Sequence, residues 1–226
     1  MFMPFGLAVL MVFGTFMSGT ILMQSIIKEK SNKITEIIFS AVSARTLMIG
    51  KVIGYALLSL VQIAIWLTVG LGAVIYFFNP SLSALFNIKT LLMVFYLVFG
   101  FINIASVNGI VGSTIKDAQS GNQSGGLFIL IPIIPIYFTS AIINSPAGAV
   151  SRVLSYIPFF TPTTMMLRLG FSTPPLWEIV ITFVLLIVTA YFMVILASKI
   201  FRIGMLMYGK TPDLKEIIKW ARSKSY

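Results

Sequence analysis

The chain has 226 residues, of which 58% are apolar and only 10% charged, with a formal net charge of +10 and a mean hydropathy of +1.00. A soluble domain carries roughly 25% charged residues to keep its surface wet, so this composition excludes a soluble enzyme and turns the excess apolar surface toward lipid. Neither cysteine nor histidine occurs, which excludes disulfides, thiolate or imidazole metal sites, cysteine nucleophiles and histidine acid/base chemistry.

A spanning helix needs about 20 mostly apolar residues. In chain order, the runs that meet this are Phe2 to Ile27, Val52 to Phe78, Thr90 to Ile115, Gly125 to Ile143 and Trp177 to Ser198, all without charged side chains in their interiors. The expected fold class is all-α: a polytopic membrane helix bundle of about five transmembrane helices, with short interfacial or re-entrant helices, forming one domain over 1–226. The first run is uncharged up to Lys28; it lacks the basic lead and short core of a cleaved signal peptide.

The connecting segments differ sharply in charge. Segments 28–51, 116–124 and 199–226 hold thirteen of the sixteen basic residues, and the opposite loops hold only Lys89, Arg152 and Arg168. The bias predicts a multi-pass protein of the cell membrane with its N-terminus outside and its C-terminus cytoplasmic. Because the basic residues sit at the ends of apolar runs, topology explains them and no nucleic-acid partner is expected; their attraction is to membrane lipid.

Two cytoplasmic stretches are amphipathic. Ile34, Ile37, Ile38 and Ala41 recur at i, i+3, i+4 and i+7, with Lys33, Glu36 and Ser40 off that face. In the tail 199–226, Leu214, Ile217, Ile218 and Ala221 repeat the pattern behind a capping signal at Thr211 to Glu216. Resting on lipid headgroups is the simple reading of both.

The external segment 144–176 is rich in proline yet too apolar for a solvated linker. Val150, Val153, Leu154 and Ile157 mark one helical face, and Thr161-Pro162 opens a second short helix closed by Gly170. Two short helices lying on or dipping into the outer leaflet are expected.

No catalytic constellation, cofactor or metal site is expected in the chain. Glu178 falls in the first turn of the last helix, where a carboxylate suits the positive end of the dipole. Gly50 and Gly54 form a GxxxG, and Ala105, Gly109 and Ser113 repeat at four-residue intervals, a pattern that lets helices approach closely. Asn103, Ser106 and Asn108 make the third helix polar; joining helices is the favoured reading over lining a translocation path. Pro132 and Pro135 break or kink the fourth helix, at a hinge or as a part of such a path.

The stretch Glu29-Lys30-Ser31-Asn32-Lys33-Ile34-Thr35-Glu36-Ile37-Ile38, followed by Ser40-Ala41-Val42-Ser43 and Gly50-Lys51, resembles the ABC-2 type permeases, the membrane subunits of ATP-binding-cassette exporters, and within them the sodium-efflux-permease-like branch. Lys116-Asp117-Ala118-Gln119-Ser120, Ile157-Pro158-Phe159-Phe160-Thr161-Pro162 with Arg168, and Arg202 to Lys210 match further stretches in order. The resemblance implies an export permease in which residues 28–50 form a coupling segment docking on a separate ATPase subunit, with Glu29, Lys30 and Glu36 as charged contacts or orienting groups. It also implies a second permease, identical or related, completing the path. No phosphate loop is expected in the chain itself, so ATP would be bound by the partner subunit. The resemblance starts at the family's second helix, which suggests a half-permease or fragment without the usual first helix and external domain. The rival readings are a non-conducting structural subunit and an ion-coupled secondary transporter; a membrane-embedded enzyme comes last.

Overall fold

The computed structural model describes residues 2–32, 40–78, 87–115, 130–206 and 216. Among them it is helical and without strands, as an apolar chain in lipid requires, because a helix satisfies its backbone polar groups internally. The helices are α1 (Phe2–Ser31), α2 (Ala44–Phe78), α3 (Ile88–Thr114), α4 (Leu130–Tyr137), α5 (Thr139–Asn144), α6 (Ala149–Ser155), α7 (Thr161–Phe171) and α8 (Leu176–Leu206). Four of them, α1, α2, α3 and α8, are long and apolar enough to cross a membrane. The all-α membrane bundle expected from composition is the architecture found.

Helix ends differ from span ends. The apolar runs predict a first helix stopping at Ile27 and a second starting at Val52. Instead α1 continues through Lys28, Glu29 and Lys30 to Ser31, and α2 begins at Ala44. A capping residue sets the second boundary: the Thr46 N–H donates to Ser43 Oγ at 3.2 Å, satisfying one of the first-turn donors. The predicted run Gly125 to Ile143 is described only from residue 130, and there it forms two short helices meeting at Phe138, whose N–H donates to the Pro135 carbonyl at 3.2 Å.

Helix directions follow from paired contacts. Gly14 lies against Phe101, Gly19 against Asn108 and Gly112 against Met23, so α1 and α3 run parallel. Tyr96 meets Thr182 at 2.7 Å, Asn103 reaches the Leu186 carbonyl, and Ser113 abuts Gly204, so α8 is parallel to α3 as well. Helix α2 is antiparallel, with Lys51 beside Glu29 and Gln62 beside Met17. The chain therefore leaves α3 at one end of the bundle and enters α8 at the other.

Helix α3 is the hub. Its four-residue repeat of small side chains works as expected: Ala105 packs with Leu22, Ile26 and Met48, Gly109 receives the Met48 methyl, and Ser113 meets α8. At Gly204 an added Cβ would lie 2.5 Å from the Ser113 carbonyl oxygen, so only glycine admits this approach. The GxxxG of α2 behaves differently. Nothing described lies within 4 Å of where a Cβ at Gly50 or Gly54 would be, so this pair makes no helix contact among the described residues. It floors an open, mainly apolar groove of about 580 Å³ with Val42, Leu47, Tyr55 and Leu58.

Helices α6 and α7 form a hairpin inserted into the bundle. Every residue of α7 from Thr161 to Leu169 is buried. Its N-terminal turn is deep: Pro162 touches Gly100, and Thr163 lies by Met11 and donates to the Pro132 carbonyl at 3.3 Å. At the tip, Phe159 packs on the cluster of Met23, Ile27, Val107, Val111 and Ile115, past the midpoint of α3. The face predicted for α6 is only half right. Leu154 is buried, but Val150 and Val153 are exposed, and Ser151 and Ser155 take the inner side because that side packs on α7 through hydrogen bonds.

Candidate functional site

Among the described residues, three polar regions interrupt the apolar bundle, at its two ends and along α3. At the end where α1 stops and α2 starts, the neighbouring residues Glu29 and Lys30 point about 100° apart around α1 and join different helices. Glu29 Oε1 accepts from Lys51 Nζ of α2 at 2.6 Å, and Lys51 also donates to Ser25 Oγ at 3.0 Å. Lys30 is 5% exposed and donates to the Ser113 carbonyl at 3.0 Å. That carbonyl lies in the last turn of α3, where orphan acceptors and the negative dipole end favour a cation. Since Ser113 also carries the contact with Gly204, one carbonyl links α1, α3 and α8. Both charges expected at a docking surface are thus engaged within the chain. Glu36, the third, lies outside the described residues, as do both amphipathic stretches apart from Ser40, Ala41 and Glu216.

Along α3, Asn103, Ser106 and Asn108 are all buried, yet they do not converge. Asn103 Nδ2 donates to the Phe99 carbonyl of its own helix at 2.9 Å and to Leu186 of α8 at 3.4 Å. Ser106 Oγ donates to Ile102 at 2.7 Å. Asn108 Nδ2 donates to Ile104 at 3.0 Å and covers Gly19 of α1. These are bonds within and between helices. Pro132 and Pro135 are buried as well, and the Pro132 carbonyl accepts from Thr163, so the break between α4 and α5 sits beside the hairpin.

At the opposite end, where α8 starts, lies an ionic cluster that the sequence reading missed. Arg168 of α7 is 1% exposed and donates through Nη2 to Glu178 Oε2 of α8 at 2.5 Å. Its Nε donates to the Pro146 carbonyl at 2.8 Å and its Nη1 to Ser155 Oγ at 3.0 Å. The other Glu178 oxygen accepts no hydrogen bond, although Arg152 Nε of α6 lies 3.2 Å away. Glu178 does occupy a helix first turn, but its buried partner is a guanidinium. A signal for this was present: Arg152, Arg168 and Glu178 are the only charged residues between Asp117 and Lys199, and charges placed in an apolar setting are almost always paired.

Contrary to the expectation of no phosphate-loop pattern, Gly204, Gly209, Lys210 and Thr211 do have GxxxxGK[ST] spacing. A phosphate loop joins a strand to a helix and turns free N–H groups toward the anion. Here Gly204 lies within α8, buried against the Ser113 carbonyl, where it presents no such loop. Residues 207–211 lie outside the described residues.

Residues 2–199 match the family described as ABC-2 family transporter protein. The chain belongs to the ABC-2 transporter family. It is 33% identical, over 96% of its length, to the uncharacterized protein MJ1024 of Methanocaldococcus jannaschii, of which it covers 53%. It is 24% identical, over 91% of its length, to the uncharacterized protein YhaP of Bacillus subtilis, of which it covers 51%. The chain thus spans about half the length of these curated relatives. No solved structure matches it.

Proposed function

We propose that this ABC-2 family chain is the permease subunit of an exporter driven by a separate ATPase subunit. Residues 28–50 form the segment that receives the ATPase, and a second permease, identical or related, completes the path. The observation that carries this reading is the inner junction. The segment between α1 and α2 is flanked by Glu29–Lys51 and Lys30–Ser113, so a push on it is delivered to α1, α2, α3 and α8 together. Glu29 and Lys30 then act as transmitting groups, leaving the docking contact to the residues between the helices, Glu36 among them.

In this reading the chain crosses the membrane five times, because parallel α3 and α8 require a return crossing between residues 115 and 176. The junction faces the cytoplasm, following the basic residues. Alternating access then rocks the helices about α3, exporting a substrate from the cytoplasm.

The test is co-purification of the full chain with a nucleotide-binding subunit, followed by transport assays of the pair in vesicles. ATP-dependent transport by the pair is expected; robust transport by the chain alone in ATP-free vesicles overturns the reading. The non-conducting structural subunit stays a second reading because Asn103 serves as a bond from α3 to α8; it expects the pair to assemble without transport.

A further inference from the structure

We propose that the Arg168–Glu178 pair is a latch that holds the α6–α7 hairpin inside the bundle, and that its release lets the hairpin tip withdraw and opens the centre toward the outer face. The proposal rests on the transporter reading for its purpose, but its geometry stands apart from it.

The hairpin fills the space between α1, α3 and α4, with Thr163 against Met11 and the Pro132 carbonyl. A permanent core element at that depth is expected to be apolar. Its buried positions instead mix the apolar Leu154, Met165, Met166, Leu167 and Leu169 with Ser151, Ser155, Thr161, Thr163 and Thr164, and Thr164 Oγ1 has no hydrogen-bond partner. The hydroxyls lose little on moving into a wetted position, because water replaces their partners, while Phe159 and the apolar residues of α7 oppose the move, so that the hairpin stays in place until the pair is released.

The charges are all at the outer end. Arg168 ties three points together there: the Pro146 carbonyl before α6, Ser155 at the end of α6, and Glu178 in the first turn of α8. One guanidinium thus fixes both arms of the hairpin to the bundle. Arg152 stands beside the same carboxylate with half its side chain exposed, so water has access to the edge of the cluster. A buried ion pair adds little stability over an apolar pair of equal volume, yet breaking it from one side is costly. Such a contact is suited to holding one of two discrete arrangements. Short connectors at Ser145–Gly148 and Ser172–Pro175 bound the hairpin.

The chain has no cysteine, so accessibility is read directly. Thr163→Cys places a thiol near the hairpin tip, and Ala197→Cys places a control in the buried cluster of α8 with Phe201 and Met48. Each is made in the full chain, reconstituted in vesicles, and reacted with a membrane-impermeant maleimide. With Glu178 intact both thiols should be protected. Glu178→Gln should raise the labelling rate at 163 on the order of tenfold and leave 197 protected. Where Glu178→Gln fails to yield monodisperse protein, Glu178→Asp keeps the charge but shortens the reach, and a smaller rise confined to 163 is expected. Unchanged labelling at 163 in a folded variant overturns the latch, and so does an equal rise at 197, which makes the pair general cement. No ATPase or substrate enters the assay, so failure of the latch and failure of the permease reading are told apart.

Discussion

Glu29 and Lys30 are adjacent in sequence and serve different helix pairs, and the reason is the helix itself. A turn of 3.6 residues sends consecutive side chains to different neighbours, so Glu29 reaches α2 and Lys30 reaches the end of α3. The same junction depends on a missing side chain. Gly204 lets α8 come so close to Ser113 that a Cβ would sit 2.5 Å from its carbonyl oxygen, and the nearest atom is backbone, which cannot swing aside. Gly204→Ala is therefore expected to push α8 outward and cost about 1–3 kcal/mol, read as a lower unfolding midpoint in detergent. Gly54→Ala serves as the contrast. With nothing near its Cβ direction, it should leave the midpoint unchanged or slightly raised, since alanine favours the helix. Equal losses at both positions would contradict the close approach of α8 to α3.

The elements themselves were legible to different depths. Four long helices could be read from apolar runs because lipid leaves a backbone few alternatives. Their ends could not, because a charge limits the span within hydrocarbon but does not stop a helix. Thus α1 runs on through Lys28, Glu29 and Lys30, and α2 starts eight residues before Val52. The signal for that start is Ser43, whose Oγ caps the Thr46 N–H. Ser43→Ala should destabilise the first turn of α2 by about 1 kcal/mol, seen as faster amide exchange over residues 44–47 with the rest of α2 unchanged; unaltered exchange would mean that another group sets the helix start. The hairpin was readable as two short helices but not in its depth or burial face. Depth is fixed by long-range partners, Gly100 for Pro162 and Glu178 for Arg168, and no local pattern encodes a pairing across ten or sixty residues. For the same reason the polar residues of α3 could be found but not aimed: Asn103 and Asn108 turn to α8 and α1, on separate sides of their helix.

At the scale of the whole molecule, sidedness joins two independent arguments. Charge counts predict that residues 28–51 face the cytoplasm, while packing alone puts the end of α1, the start of α2 and the ends of α3 and α8 together. The other end is marked by Lys89, which donates to the Ser172 carbonyl at 3.0 Å and so sets the start of α3 beside the connector leading into α8. If both arguments hold, a residue just before α2 and one just before α8 face opposite solutions. Ala41 and Thr173 are exposed at those places, and substituting them leaves the Ser43 cap and the Ser172 contact untouched. In sealed inside-out vesicles, Ala41→Cys should react with an impermeant maleimide and Thr173→Cys should not, and right-side-out vesicles should reverse the pattern. Reaction of both from one side would break the link between the parallel course of α3 and α8 and a return crossing between them, even though each helix stayed as it is. Reversal in both preparations would keep that link and instead turn the molecule over, placing the Glu29–Lys51 junction outside, where no cytoplasmic ATPase reaches it.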